Sequence, residues 1–534
     1  MLKKDGSDWY KDLAIYQIYP KSFMDADGDG IGDLKGIISK LGYLRELGIN
    51  AIWLSPIYRS PFVDNGYDIS DYDDIDPVFG SMDDFRMLLD KAHSLGIYVI
   101  MDLVVNHSSD QHRWFIESSK SRDNEYADYY IWHDPVDGRE PNNWEASFGG
   151  SAWTYVKERG QYYLHIFSPS QPDLNWKSQK LRKEIFSMIG RWCEMGVDGF
   201  RVDAISYLEK ADFSYSPNPV DATGYALAFD INSNRPGTHS TIREMRTGIW
   251  DKYNAMTVGE VCCYSPQDLF DYSSDSRKEF SMAIPFVPPI VEISTWSPLK
   301  MKRSISENYS ILREDGWWAR FLSNHDKPRQ VSLYGDDSAY WKESAKMLAT
   351  ITDLLPGTPF IFQGEEIGMT NVYYRSLDEY DDLDTRNVYE HGIAEGKSHE
   401  EAFLTAQRTS RDNARSPMQW TGGKNAGFSD GTPWLGVNEN HAHINVEEEE
   451  KDPDSILSYY KALLRLRASS KALRRGDFSF IDIESETSFC FRRTLGDEEY
   501  VVISNFSGKE NAFSFDTDGY EAVLSVYSKD YSRG

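Results

Sequence analysis

The sequence predicts an α/β protein built on a (β/α)8 TIM barrel, because short apolar runs alternate with amphipathic segments along most of its 534 residues. The segments between the runs end in glycine, as a helix C-cap does. No glycine-rich dinucleotide fingerprint follows the first run, which counts against a doubly wound sheet. Eight runs are typical of buried parallel strands: 13–19, 50–55, 97–107, 197–204, 255–260, 281–286, 318–326 and 358–366.

Two long excursions and a change of composition divide the chain into domains. The connection after the third strand is about twice the usual length in a barrel and is rich in Trp, Tyr, Ser and Asn. It predicts an inserted subdomain at 107–174. The barrel is expected at 1–106 and 175–470, ending in a helix at 454–469. The acidic run at 447–450, in the second excursion, is expected to be a solvated loop. Alternating runs predict an antiparallel, β-sandwich-like domain at 471–534, with strands at 478–483, 488–493, 499–506, 512–515 and 522–527.

Composition and charge exclude several classes of protein. The chain carries 57 Lys plus Arg against 85 Asp plus Glu, a net charge of −28, which disfavours nucleic acid and anionic membrane as partners. An aromatic content of 14% excludes a disordered chain. No secretion signal or membrane-spanning segment is recognisable, and four cysteines do not make a disulfide framework. A cytoplasmic protein is therefore expected.

Polar side chains stand at the ends of several predicted strands. The active site of a (β/α)8 barrel collects at the C-terminal strand ends, so we expect these groups to converge. Clustered acids repel one another and cost free energy, which makes a purely structural role for all of them improbable. The residues are Asp102, Asn106, His107, Arg201, Asp203, Glu260, His325 and Asp326.

Paired carboxylates with different roles are what the hydrolysis of a glycosidic bond requires. One protonates the leaving oxygen, and the other attacks the sugar or activates water. Phosphoryl transfer would instead require a clamp of Lys, Arg and metal. Tyr67 and Phe167 offer the aromatic faces that pack against a sugar ring.

Four ordered motifs carry a resemblance to a known family. DLVVNH at 102–107, GFRVDA at 199–204, VGE at 258–260 and SNHD at 323–326 resemble those of glycoside hydrolase family 13, the α-amylase family of retaining glycosidases. QPDLNW at 171–176 and the opening AIYQIYPKSFMDADGDGIGDLKGI are similar to its branch of oligo-1,6-glucosidases, α-glucosidases and sucrose isomerases. The resemblance covers nearly the whole chain.

The resemblance implies roles for the strand-end residues. Asp203 matches the nucleophile, Glu260 the general acid/base, and Asp326 the carboxylate that holds and distorts the bound glucose. Arg201 is expected to keep Asp203 ionised by placing a cation beside it. A retaining mechanism further implies that the carboxyl groups of Asp203 and Glu260 lie about 5 to 5.5 Å apart.

The resemblance also implies a closed glucose pocket. His107 and His325 are expected to hydrogen-bond sugar hydroxyls, and Tyr67 to line the closed end. Asp68 and Arg415 are expected to form a pair that grips the hydroxyls of the non-reducing end. Such a pocket removes one terminal glucose at a time from short neutral oligosaccharides.

An acidic loop near the N-terminus suggests a structural calcium ion, since hard cations take several oxygen ligands. Asp25, Asp27, Asp29 and Asp33 alternate along DADGDGIGD, and Ile31 is positioned to add its carbonyl. The twelfth position is glycine, so the loop is not a helix-loop-helix calcium hand. In relatives of the branch this loop binds calcium. No organic cofactor is expected.

The glycosidic linkage that is cleaved, and whether water or a sugar accepts the glucosyl group, stay open at this point. Ala204 follows the nucleophile where α-1,6-preferring relatives usually have Val, which favours activity on α-1,4 linkages or a broad specificity including sucrose. A sucrose isomerase or transglucosidase is the alternative, although its arginine-rich signature is missing before SNHD. Trehalose-6-phosphate hydrolysis is less favoured, since no basic cluster stands near the pocket loops. A catalytically inactive binding or transporter-associated homologue is a distant alternative. A monomer or a small homo-oligomer is expected.

Overall fold

Eight parallel strands close into a barrel in the computed structural model, which describes residues 2–218, 224–287, 296–511, 516 and 518–527. Their order around the barrel is β6-β5-β4-β3-β2-β1-β8-β7, and a parallel bridge between Ala283 and Trp318 joins β6 to β7. The predicted (β/α)8 fold is confirmed. The strands are β1 Ile15–Ile18, β2 Ala51–Leu54, β3 Tyr98–Val104, β4 Gly199–Asp203, β5 Met256–Cys262, β6 Met282–Val287, β7 Ala319–Arg320 and β8 Thr358–Phe362.

The seventh strand is much shorter than the predicted run at 318–326. Only Ala319–Arg320 forms a strand with β8, and Trp318 adds the single bridge to Ala283. Beyond it the side-chain oxygen of Asn324 accepts the backbone N–H of Asp326 at 2.9 Å, a local turn that competes with a strand. The SNHD motif therefore lies on a turn at the C-terminal end of the barrel.

Helices follow the strands and pack around the barrel. Asp33 caps α1 by accepting the N–H of Gly36, and Gly48 ends α1 with a φ of 108°, a left-handed conformation that favours glycine. The predicted helix at 454–469 is present as α8. The barrel helices are α1 Leu34–Leu47, α2 Met82–Ser94, α3 Gln179–Met195, α4 Pro236–Met245, α5 Pro266–Ser273, α6 Pro298–Leu312, α7 Trp341–Leu354 and α8 Ile456–Ser469.

A small antiparallel sheet occupies the insertion after β3. Its strands, Trp132–His133, Gln161–Leu164 and Trp153–Val156, all lie within the predicted range 107–174. The connection after β4 joins this subdomain, because Ala226–Leu227 pairs with Trp144–Glu145. The rim of the barrel above β3 and β4 is therefore built from two segments distant in sequence.

The acidic run at 447–450 forms a helix, Val446–Lys451, and the predicted loop is wrong. Asn445 caps this helix by accepting the N–H of Glu448, and acids in the first turn complement the helix dipole. Glu449 is buried, and its carboxylate accepts the N–H of Leu457 at 3.1 Å. The second excursion also contains two earlier helices, Leu383–Ala394 and His399–Thr409.

A three-stranded antiparallel sheet follows the barrel. Its strands are β9 Asp477–Phe480, β10 Ser488–Leu495 and β11 Glu498–Asn505. The strand predicted at 512–515 lies outside the described residues. The strand predicted at 522–527 is not formed: this segment is mostly exposed and pairs with no strand in the described part of the chain. The predicted domain boundaries stay predictions.

The described helices include none that is both long enough and apolar enough to cross a bilayer. All four cysteines have free thiols, and three of them are buried.

Candidate active site

One guanidinium group brings three of the predicted acids together. Arg201, on β4, is buried, and its Nη1 lies 2.6 Å from Asp203 Oδ1 and 2.9 Å from Asp102 Oδ1. Its Nη2 lies 2.8 Å from Glu260 Oε2, on β5. A single fork that spans Asp203 and Glu260 favours the short carboxyl separation of a retaining enzyme, about 5 to 5.5 Å.

The sequence around Glu260 lets β5 approach its neighbours closely. A Cβ at Gly259 would lie 2.4 Å from the ring of Phe280, so glycine is required there. The Glu260 carboxylate also accepts the N–H of Ala204 at 3.0 Å. Ala204 is buried and has a left-handed φ of 45°, a conformation that would strain a β-branched residue such as Val.

Burial sets the protonation of the two acids. It raises the pKa of Asp203 to about 7, against the opposing effect of Arg201. Burial raises the pKa of Glu260 further, to about 8, and Arg201 again opposes the rise. Burial raises the pKa of Glu260 more than that of Asp203, which is compatible with Glu260 as the acid and Asp203 as the nucleophile.

Asp326 is held in the ionised form by the polar and cationic groups around it. Its Oδ1 accepts from Arg415 at 2.8 Å and lies 3.5 Å from Arg411 Nη1, while its Oδ2 lies 3.1 Å from His325 Nε2. Although burial opposes ionisation, His325, Arg415 and Arg411 hold the pKa of Asp326 well below its usual range. The site thus contains one permanent carboxylate beside the Asp203 and Glu260 pair.

The predicted pair of Asp68 and Arg415 is not formed. Asp68 is fully buried, and its carboxylate accepts from Ser60 Oγ and from the backbone N–H groups of Val63 and Asp64. Asp68 therefore holds the 60–68 loop together. Arg415 donates instead to Asp326 and to the carbonyl of His325.

A different carboxylate and arginine form an ion pair beside Asp326. Asp64 Oδ1 lies 3.3 Å from Arg411 Nη2, and Gln171 Nε2 donates to Asp64 Oδ2 at 3.1 Å. Arg411 is in turn anchored by Asp382 at 2.6 Å. Sequence reasoning missed this pair, although Asp64 stands in the same DNGYD loop as Asp68 and Arg411 in the same RDNAR stretch as Arg415.

The predicted aromatic and histidine residues surround the acids. Tyr67 stacks on His325 with ring centres 5.3 Å apart, and its hydroxyl donates to Asp102 Oδ2 at 3.1 Å. His107 Nε2 lies 3.1 Å from the carbonyl oxygen of Tyr67. The partly exposed ring of Phe167 lies 5.0 Å from the ring of His107. Burial lowers the pKa of both histidines, that of His325 to about 3, so both are neutral at pH 7.

The acidic loop fits a cation only in part. Carboxylate oxygens of Asp25, Asp27 and Asp29 lie within 4.8 Å of one another. Both oxygens of Asp33 already accept backbone N–H groups, one from Gly36 in α1 and the other from Ala26 in the loop. Both oxygens of Asp25 also accept backbone N–H groups of the loop.

The fold and the carboxylate cluster are those of a glycoside hydrolase. The family model described as "Alpha amylase, catalytic domain" matches residues 17–476. An oligo-1,6-glucosidase of Parageobacillus thermoglucosidasius is 46% identical over 514 residues, which cover 95% of this chain and 92% of that protein. The chain belongs to the alpha-amylase family.

Two solved structures extend this similarity to three dimensions. A trehalose-6-phosphate hydrolase of Bacillus licheniformis matches with a TM-score of 0.92 and 42% identity, covering 98% of this chain and 96% of that one. The trehalulose synthase MutB with bound sucrose matches with a TM-score of 0.90 and 41% identity, covering 95% of this chain and 92% of that one.

Proposed function

We propose that the protein is a retaining, exo-acting α-glucosidase that hydrolyses terminal non-reducing α-glucosyl residues of short oligosaccharides. The observation that carries the proposal is the contact of one buried guanidinium, that of Arg201, with Asp203 and with Glu260. A single guanidinium in contact with both carboxyl groups favours the short separation that a retaining enzyme requires. The similarity to an oligo-1,6-glucosidase supports the choice of substrate class.

The mechanism follows from the protonation of the two acids. Asp203 attacks the anomeric carbon while Glu260 gives its proton to the departing oxygen, which leaves a β-glucosyl ester on Asp203. Glu260 then removes a proton from water, the water attacks the ester-bound sugar, and α-glucose is released with its configuration retained. Asp326, ionised throughout, accepts hydrogen bonds from hydroxyls of the bound glucose.

The pH dependence tests this assignment. The reactive form has Asp203 ionised and Glu260 protonated. Activity therefore falls as pH drops below about 7, where Asp203 takes up a proton, and falls again above about 8, where Glu260 loses its proton. We expect a narrow bell in kcat/KM against pH. A profile that stays flat from about pH 5 to about pH 9 would contradict the assignment.

Asp64 and Arg411 are proposed to close the pocket around the terminal glucose, in place of Asp68 and Arg415. Asp64 is buried and faces Arg411 and Gln171, so its carboxylate can accept from the sugar hydroxyls and the N–H groups of Arg411 can donate to them. A pocket closed by an ion pair admits chain ends and excludes the interior of a polymer.

Two neighbouring substitutions separate pocket closure from loop structure. Asp64→Asn is expected to lower kcat/KM on maltose by about 10²-fold, because a charge-assisted hydrogen bond to substrate is lost. Asp68→Asn, the matched control, is expected to lower the free energy of unfolding by about 1–3 kcal/mol while kcat/KM falls less than about tenfold. Kinetics and thermal unfolding measure both. Equal kinetic losses in the two variants would refute the assignment of Asp64.

The linkage preference is proposed to be broad and to include α-1,4 bonds. Ala204, beside both Asp203 and Glu260, leaves more room after the nucleophile than Val would. Initial rates on maltose, isomaltose, sucrose, trehalose and p-nitrophenyl α-glucoside, compared as kcat/KM, test this. Activity confined to isomaltose would exclude α-1,4 hydrolysis, and no release of glucose from any of them would exclude the proposed function.

The same measurements address the alternatives. Isomaltulose or trehalulose exceeding free glucose among the products from sucrose would identify an isomerase, the activity that MutB suggests. Release of glucose 6-phosphate from trehalose 6-phosphate, with no activity on maltose, would favour the activity named for the Bacillus licheniformis relative. An inactive binding homologue would turn over none of these substrates.

We also propose a structural calcium ion at Asp25, Asp27 and Asp29, with the carbonyl of Ile31 as a further ligand. Removal of calcium by EDTA is expected to lower Tm and to leave kcat at 25 °C unchanged, because the loop contains none of the reacting groups. Asp27→Asn should abolish the difference in Tm between calcium and EDTA. An identical Tm in calcium and in EDTA for the unmodified protein would exclude the ion.

A cytoplasmic location and a monomeric or small homo-oligomeric state are proposed as well. Four free thiols are compatible with a reducing compartment. Light scattering coupled to size exclusion would measure the mass against the 61.3 kDa of one chain, and cell fractionation would test the location.

A further inference from the structure

A buried glutamine outside the predicted site contacts the pocket histidine. Gln17 lies on β1 and is 2% exposed. Its Nε2 lies 2.8 Å from His325 Nδ1 and donates to Ser55 Oγ at 3.3 Å. The two hydrogens of one amide group thus point to one histidine and one serine.

The direction of each hydrogen bond around His325 follows from counting protons. Burial raises the pKa of Asp102 to about 6, with Arg201 opposing, so Asp102 is ionised at pH 7 and can only accept. The nearest donors to its Oδ2 are Tyr67 Oη at 3.1 Å and Trp53 Nε1 at 3.2 Å. Tyr67 has one hydroxyl proton, so a hydroxyl that donates to Asp102 must accept at its other contact. That contact is His325 Nε2, at 2.5 Å.

If Tyr67 accepts from His325 Nε2, that nitrogen carries a proton, and its second neighbour requires the same. Asp326 Oδ2, which is ionised and can only accept, lies 3.1 Å away. A lone pair on Nε2 would therefore face the carboxylate oxygen. A proton on Nε2 satisfies both Tyr67 and Asp326, and because the ring is neutral, Nδ1 is then left as an acceptor.

We propose that Gln17 is a positioning residue that fixes His325 as the Nε2–H tautomer, so that the ring donates from Nε2 to Tyr67 and Asp326 on the side of the catalytic acids. The inference rests on the proposed function for its catalytic consequence, but the tautomer itself does not. Gln17 is the group that meets Nδ1, and its N–H donation stabilises the lone pair there. His325 then donates to Asp326 Oδ2 and holds that carboxylate in place for the bound sugar.

The other charged groups near His325 do not decide the tautomer. Arg415 contacts the backbone carbonyl of His325 at 2.9 Å, not its ring. Arg201 and Arg411 act as nearby cations that, together with burial, keep the ring neutral. The rings of Trp53 and Tyr19 pack against the imidazole without reaching its nitrogens through a hydrogen bond.

Replacing the donor by an acceptor gives the sharpest test. In Gln17→Glu the carboxylate accepts from Nδ1–H, so the His325 ring should gain a proton on Nδ1. Two-bond proton–nitrogen spectra of the full-length protein with labelled histidine report the tautomer directly, and the His325→Gln variant assigns the signal. We expect the Nε2–H pattern in the unmodified protein, loss of that pattern in Gln17→Glu, and a fall in kcat/KM of about 10- to 100-fold.

Two further variants exclude a merely structural effect. Gln17→Met keeps the volume and removes the donor. It is expected to give a mixture of tautomers and to lower kcat/KM, even where its fall in Tm is no larger than that of the control variant below. Gln330→Met, the matched control, removes another buried amide, one that donates to Tyr460 outside the pocket. It should lower Tm and leave the His325 signal and kcat/KM unchanged.

The outcomes separate this proposal from the proposed function. An Nδ1–H tautomer in the unmodified protein, or an unchanged His325 signal in Gln17→Glu, overturns the role of Gln17. An unmodified protein with the expected tautomer but no activity on any α-glucoside overturns the proposed function and leaves the tautomer assignment standing. A loss of activity in Gln17→Glu that Gln330→Met reproduces in full would mark the effect as structural.

Discussion

Asp203→Asn is expected to lower kcat by about 10⁴-fold on every α-glucoside, equivalent to about 5.5 kcal/mol in the activation free energy. The amide cannot form the ester intermediate. Arg201 then faces a neutral group where it had an ionic partner at 2.6 Å. Steady-state kinetics on maltose and p-nitrophenyl α-glucoside measure the loss.

Asp353→Asn is the matched control for this variant. Asp353 is another buried acid, and burial raises its pKa to about 7, as for Asp203. It lies on α7, away from the carboxylate cluster, and its nearest charged influence is Arg467. Asp353→Asn should retain kcat within about twofold, and an Asp203→Asn variant with comparable activity would exclude Asp203 as the nucleophile.

Glu260→Gln should lower kcat by an amount that depends on the leaving group. Maltose needs protonation of the departing oxygen, and we expect a loss of about 10³- to 10⁴-fold. p-Nitrophenolate leaves without a proton, so the first step is affected less and the glucosyl-enzyme accumulates. Both substrates, assayed in the same buffer, give the two losses for comparison.

Azide distinguishes the acid/base from the nucleophile. It needs no general base, so it should attack the accumulated intermediate in Glu260→Gln, restore turnover of p-nitrophenyl α-glucoside and give α-glucosyl azide. Asp203→Asn, which forms no intermediate, should not yield this product. Equal losses on maltose and p-nitrophenyl α-glucoside, with no effect of azide, would contradict the role of Glu260.

The sequence predicted the barrel and the acids because both depend on local patterns. Continuous apolar runs identify buried parallel strands, and the polar residues that end them must meet at one face of the barrel. Asp203 and Glu260 could therefore be placed together from strand order alone. The helix at 446–451 was missed because a run of acids is also typical of loops, whereas here Asn445 caps the segment and burial of Glu449 fixes it.

The pocket-closing pair could not be predicted in the same way. DNGYD contains two carboxylates four residues apart, and their directions depend on how the 60–68 loop turns. Asp68 turns inward to accept the N–H groups of Val63 and Asp64, which leaves Asp64 to face Arg411. Asp382, far away in sequence, completes the placement of Arg411. Side-chain direction in loops depends on such long-range contacts, which no local pattern encodes.

The contact of His325 with Gln17 shows the same limitation on a smaller scale. Gln17 stands in an apolar run, where its spacing marks it only as part of β1. Its role becomes visible when His325, from a turn 308 residues later, is placed 2.8 Å away.

The central claim is hydrolysis with retention of configuration, and the anomer released in the first minutes of reaction tests it most directly. Proton NMR of maltose hydrolysis, recorded faster than mutarotation, should show α-glucose accumulating first from the non-reducing residue, with β-glucose following slowly. β-Glucose accumulating first from that residue would mean inversion, and would contradict both the covalent ester on Asp203 and the dual role of Glu260.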